Sequence, residues 1–171
     1  MSLTTDAQVV LAAPGRSADI SEADDAYGWL VGSWELDVLH YWTDLRGRGL
    51  KAEAHFGWIL EGHAVQDVWR IPPEARTETT RLLGTTLRVW DASVRAWRIT
   101  WINPLTGQRI ELIGRWSGKD VVQVGTQPDG TPVRWTFTDI TKDSFHWIGE
   151  ALEPDGRTWK VQGEFRARRV R

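Results

Sequence analysis

The sequence contains no cysteine and a single methionine, Met1. Without thiols there is no Cys nucleophile, thiolate-ligated haem, iron–sulfur cluster or Cys-based zinc site, and no thioether is available as a metal ligand. Long apolar runs are also missing, since nothing approaches the roughly 18 consecutive apolar residues of a membrane span. The opening MSLTTDAQVVLAAPGRSADI has only a short apolar patch, Val9 to Ala13, with no basic stretch before it and Pro14-Gly15 directly after. That is not a secretory signal, so a cytoplasmic protein is expected. Neither sign of charge dominates: 21 Lys and Arg face 23 Asp and Glu, a net charge of −2. Nucleic acid and anionic membrane are therefore not expected partners, and the basic tail from Arg166 to Arg171 reads as a solvated end.

Catalytic templates are equally scarce. No G-x-S-x-G elbow occurs, and Ser33, Ser117 and Ser144 fall in turns. Gly114 to Lys119 has the wrong spacing for a phosphate loop and reads as a hairpin. Zinc held by His40, His55 and His63 fails because alternation points His55 away from His40.

What is present in excess is tryptophan, 12 residues in a chain of 171. Such a chain can bury roughly 70% of its unfolded surface, so one domain with one core is expected without staples. Indole is large, flat and carries one N–H donor, so something must occupy or face those rings.

Ser21 and Asp24 form an S-x-x-D capping box, and Ala23, Ala26, Tyr27 and Leu30 recur at helical spacing, predicting one short helix after a disordered leader over residues 1–20. From Trp34 onward the apolar period is two, and turn residues recur at intervals of about ten. Strands are predicted at 33–42, 50–60, 63–70, 83–90, 96–103, 108–117, 120–127, 132–140, 144–152 and 157–168, mostly joined by hairpin-length turns. Only Ile71 to Arg81 is long enough for a lid, rim or exposed loop. About ten sequential strands leave two long edges unless the sheet closes, so the expected fold is all-β: a single antiparallel up-and-down barrel over residues 21–171 with a short N-terminal helix. A β-sandwich is the second choice.

Alternation assigns the inward faces. It places Trp34, Leu36, Val38, His40 and Trp42 inside from the first strand, then Ala52, Ala54, Phe56 and Trp58 from the second. Val65, Asp67 and Trp69 follow, then Trp97, Ile99 and Trp101, and later Trp135, Trp147 and Phe165. The fourth strand is ambiguous between Thr85, Leu87, Val89 and Thr86, Arg88, Trp90. Gly114, Gly149, Gly163, Ala52 and Ala54 lie among the rings where a solid core would prefer larger residues, which favours a cavity.

The run Trp29-Leu30-Val31-Gly32-Ser33-Trp34-Glu35 resembles the opening of the nitrobindin-like, calycin-type β-barrels. A closer likeness is to an uncharacterised bacterial branch of lipocalin-like barrels. Its matching segments are Gly62 to Trp69, Gly84 to Asp91, Trp101-Ile102-Asn103-Pro104, and Arg134 to Thr141 continuing to Ser144-Phe145. The likeness runs from about residue 27 to the end. It is specific for fold and weak for activity, because such barrels include haem binders, lipid carriers and proteins without a known ligand. Nitrobindins hold haem through a His near the C-terminal end of the barrel. Here the last two strands offer only His146, which alternation turns opposite to Phe145 and Trp147.

The reading is a barrel that binds a small hydrophobic or aromatic molecule, with no cofactor. Its site residues are His40, Trp42, Phe56, Trp58, Asp67, Trp69, Arg88, Trp101, Trp135 and Trp147, with His40 and Asp67 as polar anchors and Arg88 a partner for Asp67 if its face turns inward. Three alternatives stay open. Asp67 and His40 would be proton donor and acceptor in a cofactor-independent isomerase or cyclase. Haem would be ligated by a non-homologous His such as His40. A solid barrel would use an exposed Trp or Arg face for partners or a homodimer. Arg88, Arg98, Arg115 and Arg134 would form such an external stripe, ordinarily ion-paired with Glu111, Asp139 and Glu150.

Overall fold

Most segments after Gly32 alternate apolar and polar residues, so each can bury only one face, and the ten strands solve this together by rolling their apolar faces inward. A computed structural model describes residues 7–171. The strands are β1 (Gly32–Tyr41), β2 (Lys51–Ile59), β3 (Ala64–Arg70), β4 (Leu83–Asp91), β5 (Ala96–Asn103), β6 (Gln108–Ser117), β7 (Asp120–Thr126), β8 (Pro132–Thr138), β9 (Ser144–Leu152) and β10 (Trp159–Arg169). Every neighbour in sequence is an antiparallel neighbour in space, and β1 pairs with β10 to close the barrel. Closure leaves no free edge, the hazard that a row of short hairpins otherwise carries. Three strands have the boundaries expected from the sequence, and the others lie within two residues of them. No helix among the described residues is long and apolar enough to cross a membrane.

The short helix over residues 21–30 does not form. Two single turns of 3-10 helix, Glu22–Asp24 and Gly28–Leu30, stand in its place. Ser21 does cap the first, its Oγ accepting from the Asp24 N–H at 3.2 Å. Asp25 then ends the run, because its Oδ1 accepts from the backbone N–H of Tyr27 at 3.3 Å and of Gly28 at 2.7 Å. A carboxylate so placed competes with the helical ladder for the same donors.

These turns plug one end of the barrel. Ile20, Ala26, Tyr27 and Leu30 are buried within it, and the ring of Tyr27 meets that of Trp97 edge to face at 5.2 Å. A 3-10 segment leaves backbone carbonyls without helical partners, and buried carbonyls need donors. Indoles supply them: Trp97 donates to Asp24 O at 2.9 Å, Trp116 to Asp25 O at 3.1 Å, Trp29 to Ala26 O at 2.8 Å and Trp34 to Leu30 O at 2.7 Å. Arg169 adds two bonds, to Val31 O at 2.8 Å and Trp29 O at 2.7 Å, while its guanidinium lies 4.1 Å from the centre of the Trp34 ring. Part of the tryptophan excess is therefore a carbonyl-capping device, which Phe cannot perform.

The expected leader is not separate from the domain. Residues 1–6 lie outside the described residues, but Ala13 N–H donates to Trp58 O at 2.8 Å and Ser17 N–H to Gly62 O at 3.0 Å. Gly62 has φ +84° and no room for a Cβ beneath that strap. His63 reaches the Asp19 carboxylate at 3.0 Å, and that hydrogen bond raises the imidazole above its ordinary pKa. The loops 42–50, 71–82, 104–107, 127–131 and 153–158 ring the opposite, open end. The longest is held down there, since the carbonyl of Arg81 accepts from Asn103 Nδ2 at 2.8 Å.

Candidate functional site

Above the plug the barrel is hollow. A cavity of about 70 Å3 opens to solvent between the five loops, walled by Trp69, Trp101, Trp135 and Trp147 with Phe165, and floored by Thr86 and Arg88. Tyr41, Trp42, Gln108 and Gln162 line its mouth. One water needs roughly 10–15 Å3 on this measure, so the space suits several waters or one small ring.

The aromatic wall is built by seating rings on glycines. A Cβ on Gly149 would come within 2.5 Å of the Trp147 ring, and one on Gly163 within 3.0 Å of the same ring. Gly84 leaves similar room for Trp101, and Gly114 for the Tyr27 hydroxyl. These glycines do not themselves create the void, as the sequence suggested. They let large rings lie against the wall, and what remains between the rings is the cavity.

Six of the ten expected site residues line this cavity: Trp42, Trp69, Arg88, Trp101, Trp135 and Trp147. The ambiguity in β4 is resolved toward Thr86 and Arg88, whose strand partners Trp101 and Ile99 point inward. Arg88 thereby leaves the proposed external stripe. Outside, Arg98 pairs with Asp91 at 2.6 Å, and Arg134 with Glu150 at 2.8 Å while its guanidinium covers Trp159 at 4.3 Å.

Phe56 and Asp67 lie beneath the floor. Asp67 accepts from Arg88 Nη1 at 2.6 Å and from the Thr86 backbone N–H at 2.6 Å. Arg88 Nε reaches Gln123 Oε1 at 3.4 Å, which also accepts from the Tyr27 hydroxyl at 3.2 Å. The guanidinium is stacked among Tyr27, Phe56 and Phe137, 5.0, 5.7 and 5.9 Å from their ring centres. Burial pushes the Tyr27 phenol well above its ordinary pKa, opposed by the positive charge of Arg88. Asp67 is thus a neutralised structural carboxylate and not a free acid in the cavity.

Trp58 is corrected to the plugged end, where its ring lies 6.3 Å from that of Trp97 and crowds Gly28. His40 is corrected to the outer face of β1, where it is half-buried and its Nδ1 is withdrawn from solvent without a partner. A β-bulge between Val38 and His40 shifts the register, so that Tyr41 and not His40 faces the cavity. A bulge inserts one residue and reverses the parity of the strand residues that follow it, here His40 and Tyr41 to the end of β1. His40 stands opposite Glu164, which is bonded to His146 Nε2 at 2.9 Å and to Arg46 of the β1–β2 loop.

None of the four histidines lines the cavity. His55 bonds Ser33 at 2.9 Å and His63 the N-terminal strap, while His40 and His146 flank Glu164 outside. The residues therefore do not fit a haem inside this barrel, and the space is far too small for a macrocycle. The isomerase alternative likewise loses both of its named groups, one to the outer wall and one to an ion pair.

Sequence reasoning missed Tyr41 and Gln162 because each sits beside a bulge, in β1 and β10, and Gln123 because β7 carries apolar residues on both faces. No protein-family model matches the chain, and no curated protein matches it.

Proposed function

We propose that this protein binds a small, flat, largely apolar molecule in the open half of the barrel. The observation that carries the reading is the division of the interior: one half is solid with the plug, while the other holds a solvent-accessible cavity walled by four indoles above a buried, neutralised Arg88. Concave, aromatic sites with a few placed polar groups are the usual form of small-molecule pockets. The resemblance to lipocalin-like and nitrobindin-like barrels supports the same use of the interior, though not the haem of the latter.

A strained residue at the mouth supports it further. Trp42 has φ +60°, is half exposed, and is held by its N–H donating to Gln162 O at 2.7 Å. A bulky residue in left-handed backbone is costly, and such strain clusters at ligand clamps.

The test is calorimetric titration with ethylbenzene of the wild type, Gly149→Ala and Gly57→Ala. Gly149→Ala pushes the Trp147 and Trp135 rings off their seats, whereas a Cβ at Gly57 meets nothing within 4 Å. The expected result is binding by the wild type and Gly57→Ala, weakened at least tenfold in Gly149→Ala. Equal binding by all three places the site elsewhere, and a wild type that binds none of ethylbenzene, acetophenone and benzoate rejects the reading.

A further inference from the structure

The cavity can be characterised by which of its polar groups are already used. Its two side-chain amide oxygens are engaged: Gln108 Oε1 receives the Trp101 indole N–H at 2.9 Å, and Gln162 Oε1 receives Gln127 Nε2 at 3.0 Å. The Tyr41 hydroxyl is directed to the Arg81 carbonyl at 3.3 Å. Its donors are not. Among the described residues no acceptor bonds the indole N–H of Trp69, Trp135 or Trp147, or Nη2 of Arg88, all on residues that line the cavity. Behind the floor, Gln123 Nε2 is fully buried without a partner.

Charge adds a second constraint. Arg88 is the cation of the floor, and Asp67 neutralises it at 2.6 Å with both side chains almost wholly buried. A carboxylate entering the cavity would make a second anion beside one cation in a poorly solvated site, which is costly. An uncharged acceptor meets the free donors without that cost.

Resting on the binding reading above, we infer that the cavity selects uncharged aromatic molecules bearing carbonyl-type acceptors, the class of aryl ketones, quinones and lactones, over both hydrocarbons and aryl carboxylates. The rings of Trp69, Trp101, Trp135 and Trp147 hold the aromatic body, while unpaired indole and guanidinium N–H groups take the carbonyl oxygen.

Three probes of similar size separate the ideas: ethylbenzene with no acceptor, acetophenone with one carbonyl, and benzoate as the anion, each titrated calorimetrically at pH 7. Acetophenone is expected to bind at least tenfold tighter than benzoate. Relative to ethylbenzene it is expected to gain at least tenfold over what partition of the two between water and hexadecane predicts, which is the effect of one satisfied hydrogen bond. In Asp67→Asn, where Arg88 keeps its charge without a counter-ion, benzoate is expected to gain at least tenfold over acetophenone. The wild-type ranking decides the matter if that variant does not fold. Benzoate binding as tightly as acetophenone overturns the selection against charge, and no excess over partition overturns the role of the donors; both leave the binding reading standing. Failure of all three probes to bind rejects the binding reading itself.

Discussion

Oδ2 of Asp67 and Nη1 of Arg88 meet at 2.6 Å from neighbouring strands, with both side chains almost entirely withdrawn from solvent. The pair lies between the plug and the cavity, and it is tied to each: Arg88 lines the floor, and through Gln123 it shares an acceptor with Tyr27 of the plug. A buried ion pair contributes little net stability compared with apolar residues of the same size, but removing one partner strands the other.

Arg88→Met or Asp67→Ala alone is therefore expected to destabilise the protein by about 3–5 kcal/mol, as an uncompensated buried charge does. The double replacement Asp67→Leu with Arg88→Met is expected to cost much less than the sum, because no charge remains to be solvated. Urea unfolding of the three variants measures this. Additive costs would show that the two groups are not coupled.

The plug has an alkaline limit set by Tyr27. Its folded-state pKa is raised above the ordinary phenol value by burial, so above about pH 10 the unfolded chain releases a proton that the folded chain retains. Stability from this group is fully present below pH 10 and declines as pH rises through the window above it, by about 1.4 kcal/mol for each unit. Tyr27→Phe, which keeps the ring, is expected to remove that slope. Tyr41, the only other tyrosine, is raised in the same direction and contributes a slope that persists in the variant. Denaturant midpoints at pH 9, 10 and 11 compare the two proteins; identical slopes would count against a buried neutral phenol.

At the mouth, stability and binding should part. Glycine adopts φ +60° without strain, so Trp42→Gly is expected to leave stability unchanged or raise it by about 1 kcal/mol. The same change removes a half-exposed ring from the cavity mouth, and affinity for ethylbenzene is expected to fall several-fold. A variant that loses stability would show that Trp42 is there for packing.

The strands were legible because period-two alternation and turn residues are local signals. Trp69, Trp101, Trp135 and Trp147 reached the cavity as alternation predicts. The same rule misplaced His40, since one bulge after Val38 reverses parity and leaves no local trace in a run as uniformly half-apolar as Val38-Leu39-His40-Tyr41. The helix at residues 21–30 does not form because the Asp25 carboxylate takes the Tyr27 and Gly28 N–H groups locally, while the indoles of Trp97 and Trp116 reach the Asp24 and Asp25 carbonyls only through tertiary contact.

By itself, then, the sequence determined the ten strands, their order and the closed sheet, because the pleat, hairpin chemistry and the penalty on free edges act between neighbours along the chain. Only the tertiary structure decided which half of the barrel is solid and which is open. That depends on where residues 20–31 insert, on which face of β4 turns inward to set Arg88 against Asp67, and on which glycines seat an indole. Each of these is settled by the shape left between elements distant in sequence, and a local period carries no record of that space.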